Sequence, residues 1–399
     1  MQISTNSDKL NNPSSPNIAV ALSGRKLKIA MLGHKRMPSR EGGVEIVVEE
    51  LSTRMVELGH EVTVYNRRGR HVSGDKYAQN QVDEYKGVKI KSVSTLDKKG
   101  IAAITASFSA AIRAMSGDYD VVHFHAEGPC MWCFLPKLSH KKVIATIHGL
   151  DHQRAKWGFF GKRSILMGER GAVRFADEII VLSRGVQKYF KDTYNRDTVF
   201  IPNGITRPEP REASIITDKW GLKKDEYILF LGRLVPEKGA HYLIKAYRQI
   251  QTDKKLVIAG GVSDSIEYLK ELKALVDNLK LNDRVVFTDF VFGDVLSELY
   301  SNAYIYVLPS DLEGMPLSLL EAMSYGNCCV TSDIEECTSV IEDKGYSFAK
   351  GNIPELAALL NRLNSNPESV YEKKAQAADY IVNKYNWDDV VRRTLELYE

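Results

Sequence analysis

Short apolar runs that end in glycine- or proline-bearing loops alternate along this chain with stretches whose apolar residues recur every three or four positions. The first run, 27–32, predicts a strand, and loop 33–43 leads into a helix with Val44, Val47, Val48, Leu51, Met55 and Leu58 on one face and Gly59 as its stop. A second strand follows at 61–65, which makes a right-handed βαβ unit. Further strands are predicted at 88–93, 143–147, 178–182 and 198–201, with an apolar helix at 101–115 and a strand entered at Asp118 that places His123 and His125 on one face. The turn Pro202-Asn203-Gly204 ends this series, and 206–219 reads as a linker. A second alternating series has strands at 227–231, 255–259, 284–288, 304–308 and 328–331. Its helices lie near 240–251, 265–280, 294–301 and 316–324, and helices near 354–364, 367–384 and 387–397 close the chain. Two consecutive doubly wound α/β domains are expected. The division predicted is a flexible N-terminus at 1–25, Rossmann-like domains at 26–205 and 206–375, and C-terminal helices at 376–399 that pack back on the first domain.

The length of 399 residues supports two domains with an appended tail. No apolar run approaches the ~18 to 20 residues that cross a bilayer, and the polar first 25 residues lack a signal-peptide core, so a cytoplasmic protein is expected. Five cysteines, at 130, 133, 328, 329 and 337, form neither a disulfide framework nor a zinc pattern and read as buried thiols. Net charge is +3, yet residues 1–205 carry 31 Lys+Arg against 20 Asp+Glu, a net +11, and the rest carries 23 against 31, a net −8. The basic half suggests an anionic partner, either lipid headgroups or a phosphorylated acceptor, with solvated surface charge as the alternative. No basic run with interleaved aromatics points to nucleic acid.

Candidate chemistry gathers where strands end, because open α/β sheets bind ligands outside the carboxyl ends of their strands. Loop 33–43, with Gly42 and Gly43 at a helix N-terminus, favours an anion such as a diphosphate, but it lacks the G-x-G-x-x-G spacing of a dinucleotide site. His148 stands at a strand tip. Asp118 and Asp120 have the D-x-D spacing of metal-dependent sugar transferases but enter a strand instead of leaving one. His123, His125 and Glu127 come from one extended segment and are read as pocket lining or core, with no metal site. Segment 151–163 mixes cations with aromatics, which suits a membrane interface, an acceptor groove, or a loop pinned to the core. In the second series Arg233 and Lys238 leave the first strand between Gly232 and Gly239, an arrangement that suits a diphosphate leaving group without a metal. Glu313 and Glu321 flank the loop and helix after strand 304–308, and carboxylates accept hydrogen bonds from sugar hydroxyls. The two acids do not read as a glycosidase pair. Eight helical residues rise about 12 Å, whereas hydrolysis needs carboxyls about 5 to 9.5 Å apart.

The run Glu313-Gly314-Met315-Pro316-Leu317-Ser318-Leu319-Leu320-Glu321-Ala322-Met323, with Gly326, resembles the E-x7-E signature of retaining GT-B glycosyltransferases of family 4. Gly232-Arg233 with Lys238-Gly239, Pro202-Asn203-Gly204-Ile205, Ala145-Thr146-Ile147-His148 and Gly42-Gly43 match other family landmarks in order, over about residues 27–397. The resemblance implies two Rossmann-like domains facing across a cleft, no cofactor, and a nucleotide diphosphate sugar as donor. It implies that Arg233 and Lys238 bind the diphosphate, with Gly42 and Gly43 approaching from the other domain. Glu313 would meet the donor sugar, Glu321 the ribose, and His148 the reacting centre. Gly314, Met315, Pro316 and Leu317 would border the donor, and His123 and Glu127 would lie on the acceptor side. Met315 and Pro316 depart from the family's usual aromatic and glycine, which leaves the donor sugar open. The expected reaction is transfer, with retention and without metal, to a saccharide or lipid-linked saccharide in surface polysaccharide assembly at the inner face of the membrane. A sugar-nucleotide epimerase and a non-catalytic sugar-nucleotide-binding protein are the alternatives.

Overall fold

A computed structural model describes residues 25–39, 42–68, 82–96, 101–154, 157–262 and 266–399. Apart from residue 25, the expected flexible N-terminus lies outside the described residues. The first sheet comprises β1 (Lys28–Leu32), β2 (Glu61–Arg67), β3 (Glu84–Tyr85), β4 (Val88–Val93), β5 (Val121–His125), β6 (Lys142–Ile147), β7 (Glu178–Val181) and β8 (Val199–Phe200). Its eight strands run in the order β3-β4-β2-β1-β5-β6-β7-β8, parallel except for the short β3. β1 is buried along almost its whole length, as a central parallel strand covered on both faces must be.

The second sheet comprises β9 (Tyr227–Leu231), β10 (Lys255–Ala259), β11 (Val285–Asp289), β12 (Ile305–Leu308), β13 (Cys328–Ser332) and β14 (Tyr346–Phe348). Its order is β11-β10-β9-β12-β13-β14, with every pairing parallel. In both sheets the strand order reverses beside the first strand, between β1 and β5 and between β9 and β12. A doubly wound sheet opens a crevice at such a reversal.

Sequence periodicity placed most elements within a few residues. It missed the two- and three-residue strands β3 and β14, which are too short to carry a period. It also missed the helices Phe159–Phe175, Arg184–Tyr194 and Glu335–Ile341, and the helix Ile215–Trp220 inside the expected linker. All five cysteines are free and buried. No helix among the described residues is long and apolar enough to cross a membrane.

The chain crosses between the sheets at Ile205, whose N–H donates to Tyr385 O at 2.7 Å. Gly204 lies under Trp387, where an added Cβ would stand 2.5 Å from the indole. The helix Trp387–Glu396 thereby lies against the helix Gly43–Glu57, with the Arg54 guanidinium 5.8 Å from the Trp387 ring centroid. The C-terminal stretch also reaches the first sheet, where Tyr398 is buried against His123.

Candidate active site

The loops after β9 and β12 meet at the second strand-order reversal. Gly239 has φ +70°, and a Cβ there would stand 2.0 Å from the carbonyl oxygen of Pro309, so only glycine lets the first loop close on the second. Asp311 N–H donates to Glu237 O at 2.8 Å and seals the contact. This packing brings Lys238 to Glu313: the ammonium donates to Glu313 Oε1 at 2.6 Å, and Ser310 Oγ donates to the same oxygen at 2.6 Å. Glu313 is buried, and a charged group in that position requires such partners. Arg233, half-buried on the same loop, makes no side-chain ion pair or hydrogen bond among the described residues.

Pro316 caps the helix Leu317–Ser324. Glu321 lies one helical stretch further on, and its Oε2 accepts from Tyr300 Oη at 3.1 Å. Met315 turns toward the first domain: its sulfur accepts from the Asn203 N–H at 3.0 Å, and its carbonyl accepts from Asn203 Nδ2 at 3.3 Å. The position expected to shape a sugar pocket thus holds the interdomain turn, a use that suits methionine's soft sulfur and flexible stem.

The two domains approach each other through three glycines. A Cβ on Gly314 would stand 1.7 Å from the His148 carbonyl oxygen, and one on Gly149 would stand 3.1 Å from Gly314 Cα. Backbone therefore lies on backbone across the cleft. Gly43 faces Leu317, with an added Cβ 3.4 Å from its Cδ1, so the loop bearing Gly42 and Gly43 meets the start of the helix that carries Glu321.

His148 Nε2 lies 3.2 Å from His125 Nδ1, and His125 stacks on His123 with centroids 4.2 Å apart. His123 contacts Tyr398 Oη at 2.6 Å through Nδ1 and Thr146 Oγ1 at 2.7 Å through Nε2. Burial pushes His148 down to about 4 and His123 down to about 3, and holds His125 well below the usual histidine range. All three rings are neutral near pH 7. They can exchange hydrogen bonds but cannot neutralise phosphate.

His123 and Glu127 are fully buried, so neither presents a polar atom to a saccharide in this conformation, against the acceptor-side expectation. Glu127 Oε2 accepts from Asp151 N–H at 2.7 Å. Burial, with Asp151 and Glu169 beside it, pushes its carboxyl up to about 10. Asp118 and Asp120 lie at the amino end of β5, where Asp120 accepts from the Lys28 N–H at 2.8 Å; they brace the opposite end of the sheet from the cleft. In segment 151–163, Phe159 and Phe160 are 74% and 85% exposed at the start of a helix and do not pin it to the core, whereas Trp157 is half-buried; residues 155 and 156 lie outside the described residues.

Three residues at this junction escaped the sequence reading. Ser310 was legible only as one more residue three before Glu313, and Asn203 only as part of the turn and family landmark Pro202-Asn203-Gly204-Ile205. Arg154 pairs with Asp151 at 2.7 Å. Burial opposes its charge, but the carboxylates of Asp151, Glu313, Glu237 and Glu127 outweigh that and hold the guanidinium above its ordinary value. It is a first-domain cation beside two acids of the second domain, a proximity that only the tertiary fold creates.

Residues 213–385 match the family model described as glycosyl transferases group 1, and residues 41–207 match the one described as glycosyltransferase family 4. An uncharacterized glycosyltransferase of Methanocaldococcus jannaschii is 27% identical over 94% of this chain and 98% of its own. Among solved structures, sucrose-phosphate synthase from Thermosynechococcus elongatus superposes with a TM-score of 0.80 at 20% identity, over 94% of this chain and 98% of that one. HepE of Anabaena in complex with UDP-glucose gives 0.77 at 18% identity, over 93% and 98%. Two matched models that together cover most of both sheets, on a two-domain parallel α/β frame shared with these structures, make this chain a glycosyltransferase of the GT4-type GT-B family.

Proposed function

We propose that this chain is a retaining transferase that moves a sugar from a nucleotide diphosphate sugar to a saccharide or lipid-linked saccharide. The observation that carries the reading is the meeting of Lys238, from the loop that also bears Arg233, with Glu313 at the β9/β12 reversal, with Gly314 laid on His148 of the facing domain. The cations take the diphosphate, with the loop of Gly42 and Gly43 approaching from the other side. Glu313, whose two observed bonds both use Oε1, offers Oε2 to a donor-sugar hydroxyl. Glu321 takes the ribose, beside Tyr300. Gly314 through Leu317 form the wall between the two acids. His148, neutral, stands at the reacting centre as a hydrogen-bonding group. The departing phosphate, neutralised by Arg233 and Lys238, receives the acceptor's proton on the same face as the bond it leaves, which retains configuration. In this reading no cofactor or added divalent ion enters the step, and the chain divides into residues 26–205 and 206–375 with 376–399 returning to the first part.

The HepE complex makes UDP-sugars the first donors to test. Glu313→Ala and Lys238→Ala should each lower transfer about 100-fold or more while the far-UV circular dichroism stays unchanged. Near-normal turnover by both variants sinks the site assignment. A donor panel with lipid extracts as acceptors, read by mass spectrometry, separates transfer from the alternatives: an epimerase makes a new sugar nucleotide without acceptor, and a binding protein makes no product. A place in surface polysaccharide assembly at a membrane's inner face is supported by the basic first half and by exposed Phe159 and Phe160 beside Lys162 and Arg163.

A further inference from the structure

Besides the cleft, the first domain holds two buried carboxylates and a half-buried imidazole that point at one another. Glu127 follows β5, His152 lies in the short turn Asp151–Gln153, and Glu169 comes from the helix Phe159–Phe175. One ligand atom from each lies within 4.8 Å of the others. His152 Nδ1 is 3.4 Å from Glu169 Oε2 and 3.9 Å from Glu127 Oε1. These three atoms are buried and have no hydrogen-bond partner among the described residues. Both glutamates are fully buried. Two acid groups facing each other in a desolvated space are costly as anions unless a cation or a proton lies between them.

The surroundings orient the set. The second oxygen of each carboxylate is occupied, Glu127 Oε2 by the Asp151 N–H at 2.7 Å and Glu169 Oε1 by Tyr189 Oη at 2.8 Å. Each glutamate therefore turns its remaining oxygen inward, as an outer shell does for metal ligands. Two glycines bring the helix close enough for this. A Cβ on Gly168 would stand 2.1 Å from Glu127 O, and one on Gly171 would stand 2.4 Å from Cys130 O. Metal–ligand bonds of about 2.0 to 2.1 Å in a tetrahedron put neighbouring ligands about 3.4 Å apart, close to the spacings at His152.

We infer that Glu127, His152 and Glu169 form a structural site for one divalent first-row metal ion, with water as fourth ligand. An imidazole with two carboxylates suits Zn²⁺ better than Mg²⁺ or Ca²⁺, which prefer all-oxygen sites. Held by first-domain residues alone, the ion takes no part in the transfer step. It pins the turn that carries Asp151 and Arg154 beside Glu313, and it does so whichever sugar is transferred.

The test is metal analysis of the full chain, purified without chelator or metal-affinity resin. About one zinc per chain is expected. Stripping should lower the melting temperature, and Zn²⁺ but not Mg²⁺ should restore it. His152→Ala and Glu169→Gln should hold less than about a tenth of that zinc, and Tyr189→Phe should bind about 10- to 100-fold more weakly. Should the ligand variants fail to fold, the wild-type content and the stripped-protein titration decide alone. The proposal is overturned by zinc at background with a melting temperature indifferent to Zn²⁺, by zinc retained equally in folded His152→Ala, or by a pocket stabilised only by protonation.

Discussion

At the scale of single residues, the histidine cluster gives the clearest consequence. His123 and His148 are held down to about 3 and about 4 by burial, whereas a histidine in the unfolded chain titrates near 6.5. As pH falls below about 6.5 the unfolded chain takes up protons that the folded rings refuse, so stability is fully present above that pH and declines below it. Each ring contributes a slope of at most about 1.4 kcal/mol per pH unit between pH 6.5 and 4. The melting temperature should therefore drop over this window, and His123→Gln should flatten the slope even if it also lowers the plateau. An unchanged slope would show that His123 already shares its proton in the folded state. None of this could be read from His-Phe-His spacing, which showed a common face but not that Tyr398 and Thr146 would occupy both nitrogens of His123.

At the scale of elements, function rests on loop closure. Gly239 on Pro309 and Gly314 on His148 are places where one element touches another through backbone alone. Gly314→Ala must move the two domains apart to relieve a 1.7 Å approach. A stability loss of about 1 to 3 kcal/mol is expected from overpacking, and a fall in kcat/KM of about 100-fold from misplacing the reacting groups by an ångström or so. Full activity in Gly314→Ala would mean that the cleft opens beyond this contact during turnover. The E-x7-E run, the Gly-Arg and Lys-Gly loop and the strand periods were all legible before the fold, because they depend on local spacing. The Lys238–Glu313 bond and the turn of Met315 toward Asn203 were not, since each joins segments far apart in sequence.

For the whole molecule, the returning C-terminal helix and the charge asymmetry carry the predictions. Trp387 is buried over Gly204, and Trp387→Ala should cost about 3 to 5 kcal/mol in chemical denaturation. A small effect would mean that the final helix is dispensable for the first domain. The net +11 of residues 1–205 and the exposed Phe159 and Phe160 should give binding to vesicles containing anionic lipid that weakens with salt. Phe160→Ser should reduce it further, and no binding at low salt would refute a membrane partner.

The stretch that read as strand, loop, helix and strand, with an acid at each side of Met315 and Pro316, already carried the family and its α/β frame, since apolar period and motif order are properties of the chain itself. Pairing belongs to the fold. Which cation faces Glu313, which turn receives Met315, and why Glu127 points at His152 and Glu169 instead of at a saccharide were decided when strand order reversed and glycines let backbones meet, because contacts between distant segments depend on three-dimensional closure and leave no local trace.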